Sequence, residues 1–274
     1  MNGELSRRAL GLSAPGAAAR STAGLAPAAG ANRPDGGVDA APRRVAPATG
    51  SVVVVLADIA PSARLWGYAR FVLGRRPLLR EAGARFAKQL GSGWEGGFGL
   101  RPSASRQGLL CVFDDTASAQ AFAEESALVA AYRAHARELL VVRLRAYSCR
   151  GTWDGVPVPL AAEAPHAGRI AGLTRASIRL GRAARFWRRA PPAERSLAAA
   201  PGCVLAAGLG EAPLLRQATF SIWDSVADMD RYARTGAHLE AIRAAREGDF
   251  FSESMFVRFV VDALHGTWKG RSHG

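Results

Sequence analysis

The chain spells GTWDG at residues 151–155 and GTWKG at residues 266–270. Tryptophan is infrequent, so two Gly-Thr-Trp-x-Gly phrases in one chain of 274 residues point to an internal repeat. Each phrase follows a β-branched, apolar run of strand type: LVVRLRAY (140–147) before the first and SMFVRFVVDAL (254–264) before the second. The phrase therefore closes the last strand of each half, with Gly allowing the turn and Trp packing where the halves meet.

Working outward, the same order of elements precedes both phrases. In the first half SVVVVLADI (51–59) reads as a strand. SARLWGYARFVLGRRP follows as a helix whose Leu65, Ala69 and Val72 mark one face and which Pro77 ends. ARFAKQLGSG and GLLCVFDD read as two strands joined by the loop GSGWEGGFGLRPSASRQ, and TASAQAFAEESALVAAYRAHAREL as one long helix. After a Pro- and Ala-rich linker at 156–168, the order restarts. RIAGLTRASIR is a strand, AARFWRRAPPAERSLA a helix, CVLAAGLG and PLLRQATFSIWD paired strands, and SVADMDRYARTGAHLEAIRAAREG a helical stretch. Phe113-Asp114 in one half answers Trp223-Asp224 in the other. The pattern predicts an α+β protein of two tandem ferredoxin-like βαββαβ repeats, 49–155 and 169–274. Burying their open sheet faces on one another gives an α/β barrel, with a ligand cavity expected between the sheets. Residues 1–48 lack regularly spaced large apolar side chains and read as a disordered tail or an over-extended translation start.

The formal charge of +13 is almost wholly arginine, since Lys88 and Lys269 are the only lysines. A GC-rich genome enriches Arg, Ala and Gly together, and a basic surface also attracts nucleic acid, lipid head groups or an acidic redox protein. No apolar run reaches the roughly 18–20 residues of a spanning helix, and no amphipathic membrane helix stands out. The expectation is a cytoplasmic protein that meets the inner membrane peripherally. Cys111, Cys149 and Cys203 form no C-x-x-C, which fits free thiols in a reducing compartment.

Several chemistries are excluded by absence of their motifs. There is no GxSxG elbow, HExxH pair or P-loop, and the glycine-rich GSGWEGGFG lacks the following Lys-Ser/Thr. The βαββαβ order also describes RNA-recognition modules, but GLLCVF and LLRQATFSIW lack the K/R-G-F/Y-x-F-V-x-F pattern of stacking aromatics, so no nucleic acid is expected as partner.

The segments KQLGSGWEGGF, LTRASIRLGRAARFWR and GLGEAPLLRQATFSIWD, with the two GTW phrases, together resemble the spheroidene monooxygenase family across about residues 52–270. The resemblance implies an antibiotic-biosynthesis-monooxygenase-like barrel that holds haem b, with its iron. It would oxidise an acyclic carotenoid at C-2 with dioxygen and electrons from a ferredoxin-like donor. The alternatives are a haem-barrel enzyme acting on another substrate, and a haem- or apolar-ligand-binding barrel without catalysis.

Haem needs an axial ligand, an apolar slot and cations for its propionates. Of the five histidines, His273 lies in the C-terminus, expected to be frayed, His166 in the linker and His265 beside the second GTW phrase, where the first half has Arg150. His135 shares a helix stripe with Leu128, Tyr132 and Leu139. His238 precedes Ile242 and Ala245, in GAHLEAIRAAREGDFFSESMFVRF, a segment that resembles the family's histidine-bearing helix and strand entry. The expected proximal ligand is His238, with His135 as alternative. Phe250, Phe251 and Ser254 depart from the family's usual Trp, Tyr and acid, which implies altered substrate or oxygen handling. Arg175, Arg216 and Arg258 lie inside strands, where guanidinium needs an anion. They are read as propionate-binding or as partners of Glu211, Glu253 or Asp262. Trp66, Trp187 and Trp223 are read either as plain core or as the lining of a polyene channel.

Overall fold

The computed structural model describes residues 50–73, 77–97, 99, 101–188, 196–212, 214–234 and 248–274. The first half runs β1 (Ser51–Ile59), α1 (Arg64–Leu73), α2 (Pro77–Ala82), β2 (Phe86–Gly93), β3 (Pro102–Phe113), α3 (Thr116–Glu125), α4 (Ala127–His135) and β4 (Ala136–Gly151). The second runs β5 (Ile170–Ile178), α5 (Ala183–Trp187), β6 (Cys203–Ala212), β7 (Arg216–Trp223), α6 (Val226–Ala233) and β8 (Phe251–Trp268), ending in the short β9 (Arg271–His273).

The strands form one antiparallel sheet in the order β4-β1-β3-β2-β6-β7-β5-β8-β9, and the additional pairing of β4 with β8 closes strands β1 to β8 into a barrel. Its two seams differ. The β4–β8 seam joins the longest strands, of 16 and 18 residues, and Arg145 clamps it with Nε and Nη2 each 2.9 Å from the Asp262 carboxylate. The β2–β6 seam pairs only Gly91 with Gly210 and Ser92 with Leu209, and the Ser92 hydroxyl donates to the Gly208 carbonyl at 2.6 Å.

The GTW phrases are equivalent in detail. Gly151 and Gly266 both have positive φ, 78° and 117°. A Cβ on Gly151 would land on the Ser254 carbonyl and one on Gly266 on the Leu139 carbonyl, so only glycine fits either strand crossing. Trp153 and Trp268 are each buried in the barrel core. The turns after them match as well: Asp154 and Gly155 have φ of 51° and 76°, Lys269 and Gly270 of 52° and 73°. One carboxylate caps each turn. Glu253 accepts from the Gly155 N–H at 2.9 Å, and Glu138 from the Gly270 N–H at 2.6 Å.

Three expectations change. The stretch read as one long helix is two, because Ser126 leaves the helical region (ψ 138°) and its hydroxyl caps α4 by accepting from the Val129 N–H. Half of the expected 91–107 loop is strand: β3 starts at Pro102, and its polar first residues lie beyond the core, where no apolar alternation betrays a strand. The face of α1 marked by Leu65, Ala69 and Val72 points to solvent, whereas Gly67 and Phe71 pack inward on Ile59 and Gly91.

Candidate functional site

Among the described residues, buried side chains fill the space inside the barrel where a ligand cavity was expected. Alternate residues of all eight strands, among them Val54, Leu56, Leu110, Val142, Leu173, Phe220, Val257 and Phe259, meet in one core that the two halves share. Bulky side chains converging from every strand leave a packed interior.

The two outer faces are built to opposite specifications. In the first half, register places Leu109, Val55 and Val141 in one row and Cys111, Val53 and Arg143 in the next. This surface is buried under α2, α3 and α4, with Leu78, Phe122, Leu128, Val129 and Tyr132 on top of it. In the second half the matching rows are Thr219, Thr174, Phe256 and Ser221, Gly172, Arg258. Hydroxyls and a bare backbone replace aliphatic side chains, and Thr174 is exposed although β5 is flanked on both sides.

α6 crosses one margin of this second face. Its N-terminus is fixed by Ser225, whose hydroxyl accepts from the Asp228 N–H at 3.2 Å. Met229 then lies over Gly172, where a Cβ would meet its sulfur at 3.3 Å. Asp230 accepts from Arg258 Nη2 at 2.7 Å. Arg258 is held over the Phe256 ring, with 5.6 Å from guanidinium to centroid. Tyr147 packs beside Trp223 and Met229, and its buried hydroxyl has no hydrogen-bond partner of good geometry among the described residues. Burial raises the Tyr147 pKa and the nearby Arg258 charge opposes that, so the group is a neutral donor at physiological pH. The face thus offers hydroxyls, an aromatic wall, a guanidinium paired with Asp230 and a phenol, with Met229 seated on the glycine. Apolar walls and a cation are among the features that an anion-bearing group such as haem requires.

His238 lies outside the described residues. His135 ends α4 in the other half, stacked on Trp66 with centroids 4.2 Å apart and planes 5° apart. Its Nδ1 is 2.8 Å from the Ala131 carbonyl, an acceptor, so Nδ1 carries the proton and Nε2 keeps a lone pair when the ring is neutral. A cavity of about 290 Å³ lies alongside, lined by Trp66, Arg70, Ala127, Leu128 and Ala131. His166 and His265 are exposed. His273 is not frayed: β9 pairs it with Gly266, its side chain is buried, and burial with Arg169 and Arg271 nearby lowers its pKa.

The three arginines fall into two groups. Arg258 belongs to the outer face. Arg175 and Arg216 have the inward parity of their strands, and Arg175 is fully buried between Glu253, Asp154 at 3.4 Å and Glu211 at 3.6 Å, with its guanidinium 5.4 Å from the Trp153 ring. Its anions are the protein's own. Lys88 joins the cluster, bonded to Asp154 and 2.8 Å from Glu211, which also accepts from Trp153 Nε1 at 3.0 Å. Burial raises the Glu253 pKa, but donation from Gly155, Thr152 and Arg175 outweighs it and brings the group to about 2. Asp154 is lowered too: Lys88 overcomes its burial, with help from Arg175 and Arg216. Sequence reading missed Lys88, although a lysine between Phe86 and Leu90 on the inward side of a strand is a visible anomaly.

Trp66, Trp187 and Trp223 occupy three separate clusters among the described residues. Burial pushes the Cys111 thiol up to about 12 and Cys203 to about 11, so neither offers a thiolate. Among the described residues no three His, Cys, Asp or Glu side chains converge to hold a metal ion.

No family model matches the chain. Two curated relatives are both named spheroidene monooxygenase. That of Rubrivivax gelatinosus is 62% identical over 223 residues, covering 81% of this chain and 86% of the relative. That of Rhodobacter capsulatus is 37% identical over 211 residues, covering 75% and 87%. Among solved structures, an aldoxime dehydratase (OxdRE) in complex with butyraldoxime shares 10% identity at a TM-score of 0.49, covering 77% of this chain and 79% of its own. A putative monooxygenase from Lactobacillus acidophilus shares 14% at a TM-score of 0.35, covering 81% and 97%.

Proposed function

Since this chain belongs to the spheroidene monooxygenase family and is a carotenoid monooxygenase, we propose that it is haem-dependent. In this reading it oxidises an acyclic, spheroidene-like carotenoid at C-2 with dioxygen, and a ferredoxin-like protein supplies the electrons. The observation that carries the reading is the outer face of the second half, the side of the barrel where glycine and hydroxyls stand in place of packed aliphatic residues.

Haem bound there would supply activation of dioxygen at iron, with one oxygen atom entering the substrate and the other leaving as water. The protein's part is binding and orientation. Met229, seated on Gly172, and Phe256 would form apolar walls beside the group. Arg258, oriented by Asp230, would hold a propionate, and the Tyr147 hydroxyl would be available as a further donor to it. His238, as neutral imidazole, is the proposed iron ligand. Arg175 and Arg216 are assigned to the interior cluster. The arginine-rich surface would speed encounter with an acidic ferredoxin.

His135 is the second choice, because its Nδ1–H bond to Ala131 leaves Nε2 as the lone-pair nitrogen beside a cavity. Haem reconstitution of the purified chain, followed by absorption spectroscopy, tests both. A Soret band lost in His238→Ala and kept in His135→Ala is expected. The reverse pattern moves the site to the first half, and no band in the wild type overturns the haem reading. Co-expression with an acyclic carotenoid pathway is expected to yield a C-2 oxidised pigment. An unchanged pigment profile despite bound haem points to another substrate.

A further inference from the structure

α1 carries its apolar stripe on the outside. Its inner side is fixed by the Gly67 carbonyl, which accepts from Gln107 Nε2 at 2.7 Å, and by Phe71 against Gly91. Leu65, Tyr68 and Val72, at i, i+3 and i+7, are 87%, 68% and 55% exposed, and Leu79 on α2 is 44% exposed. Scattered surface leucines are ordinary, but three on one helical face with a fourth on the next helix make a patch.

The charge around the patch is predominantly positive. Residues 61–82, through the end of α2, contain five arginines and one acidic residue, Glu81. Arg64 and Arg80 are exposed and form no ion pair among the described residues, whereas Arg85, Arg137, Arg143 and Arg145 each face an Asp or Glu. A second copy docked by the same face would set arginine against arginine. An acidic protein would satisfy the arginines but would need a matching groove for Leu65 and Val72. An anionic bilayer satisfies both, taking the apolar side chains into its interface and the guanidinium groups onto its phosphates.

We infer that α1, with the start of α2, docks the protein on an anionic lipid surface. The cavity lined by Trp66, Arg70 and Leu128 lies on the inner side of the same helix, next to where a lipid-borne apolar molecule would arrive. The inference stands on surface residues and does not depend on haem.

The test is co-sedimentation of the full chain with carotenoid-free vesicles of phosphatidylglycerol in phosphatidylcholine, against phosphatidylcholine alone. Binding to the anionic vesicles is expected. It should weaken about thirtyfold in Arg64→Ala/Arg80→Ala, at roughly fivefold per arginine. It should vanish in Leu65→Asp/Val72→Asp, whose circular dichroism stays that of the wild type because both side chains are exposed. Failure of the wild type to pellet overturns the inference, as does pelleting that neither double variant changes. A concentration-dependent dimer in sedimentation velocity, abolished by Leu65→Asp/Val72→Asp without vesicle binding, assigns the face to a second copy instead. A vesicle-binding protein with no Soret band would sink the haem reading alone, and a haem protein indifferent to vesicles would sink this one alone.

Discussion

The two halves share a backbone and differ in what they put on it. Val53 and Gly172 occupy the same place in their strands, as do Val55 and Thr174, Leu109 and Thr219, and Cys111 and Ser221. Even the arginines correspond: Arg143 reaches Gln120 of α3, and Arg258 reaches Asp230 of α6. The first half uses its outer face for stability, burying aliphatic surface at about 25 cal/mol per Å² beneath its helices. Among the described residues, the second half gathers a smaller cluster of Ile170, Trp223 and Met229 on its outer face and leaves Thr174 exposed, a difference in composition that neither half shows alone.

The equivalence itself is open to the harshest test. Gly151→Ala and Gly266→Ala each push a Cβ into a carbonyl of the facing strand at positive φ, and each is expected to cost more than about 4 kcal/mol or abolish folding. Denaturant unfolding that finds one of them neutral would break the two-fold correspondence of the GTW phrases.

Arg175→Met comes next, because it strands Glu253 without its buried cation and leaves Glu211 with Lys88 alone. A loss of about 3–5 kcal/mol is expected, with haem uptake per folded molecule unchanged. Arg258→Met should do the opposite, costing about 1 kcal/mol or less while weakening haem retention. Equal haem loss in both would reunite the arginines that the fold separates.

The faces can also be exchanged. Val55→Thr puts the second half's hydroxyl under the first half's helices and is expected to cost about 1–3 kcal/mol with an unaltered Soret band. Gly172→Val gives the second half the first half's side chain, and should reduce the Soret band with a smaller loss of stability. If it leaves the band intact, the haem does not lie on this face.

The smallest effect at neutral pH concerns the turn-capping acids. Glu253 titrates in the folded protein at about 2, below its ordinary 4.5, so its stabilisation is complete above 4.5 and is lost as pH falls through 2. Unfolding free energy measured across that window should fall less steeply in Glu253→Gln than in the wild type. Parallel curves would remove Glu253 from the acid response.

Much of this was legible in the chain. Doubled phrases, β-branched runs and helical periodicity specify strands, helices and the repeat, because those signals act over a few residues. The family segments fixed the class of chemistry. Direction was harder: the stripe Leu65, Ala69, Val72 was visible as a stripe, but periodicity is the same for a face turned to a core and one turned to a bilayer.

What the sequence determined by itself is therefore the elements, their order, their duplication and the family. The tertiary structure decided which side of each element meets what. It filled the barrel where a cavity was expected, split Arg175 and Arg216 from Arg258, and set Gly172 and Ser221 level with Val53 and Cys111. The physical reason is that inside and outside are properties of strand register and closure. Those arise from pairings such as β4 with β8, between residues more than a hundred positions apart, which no local pattern encodes.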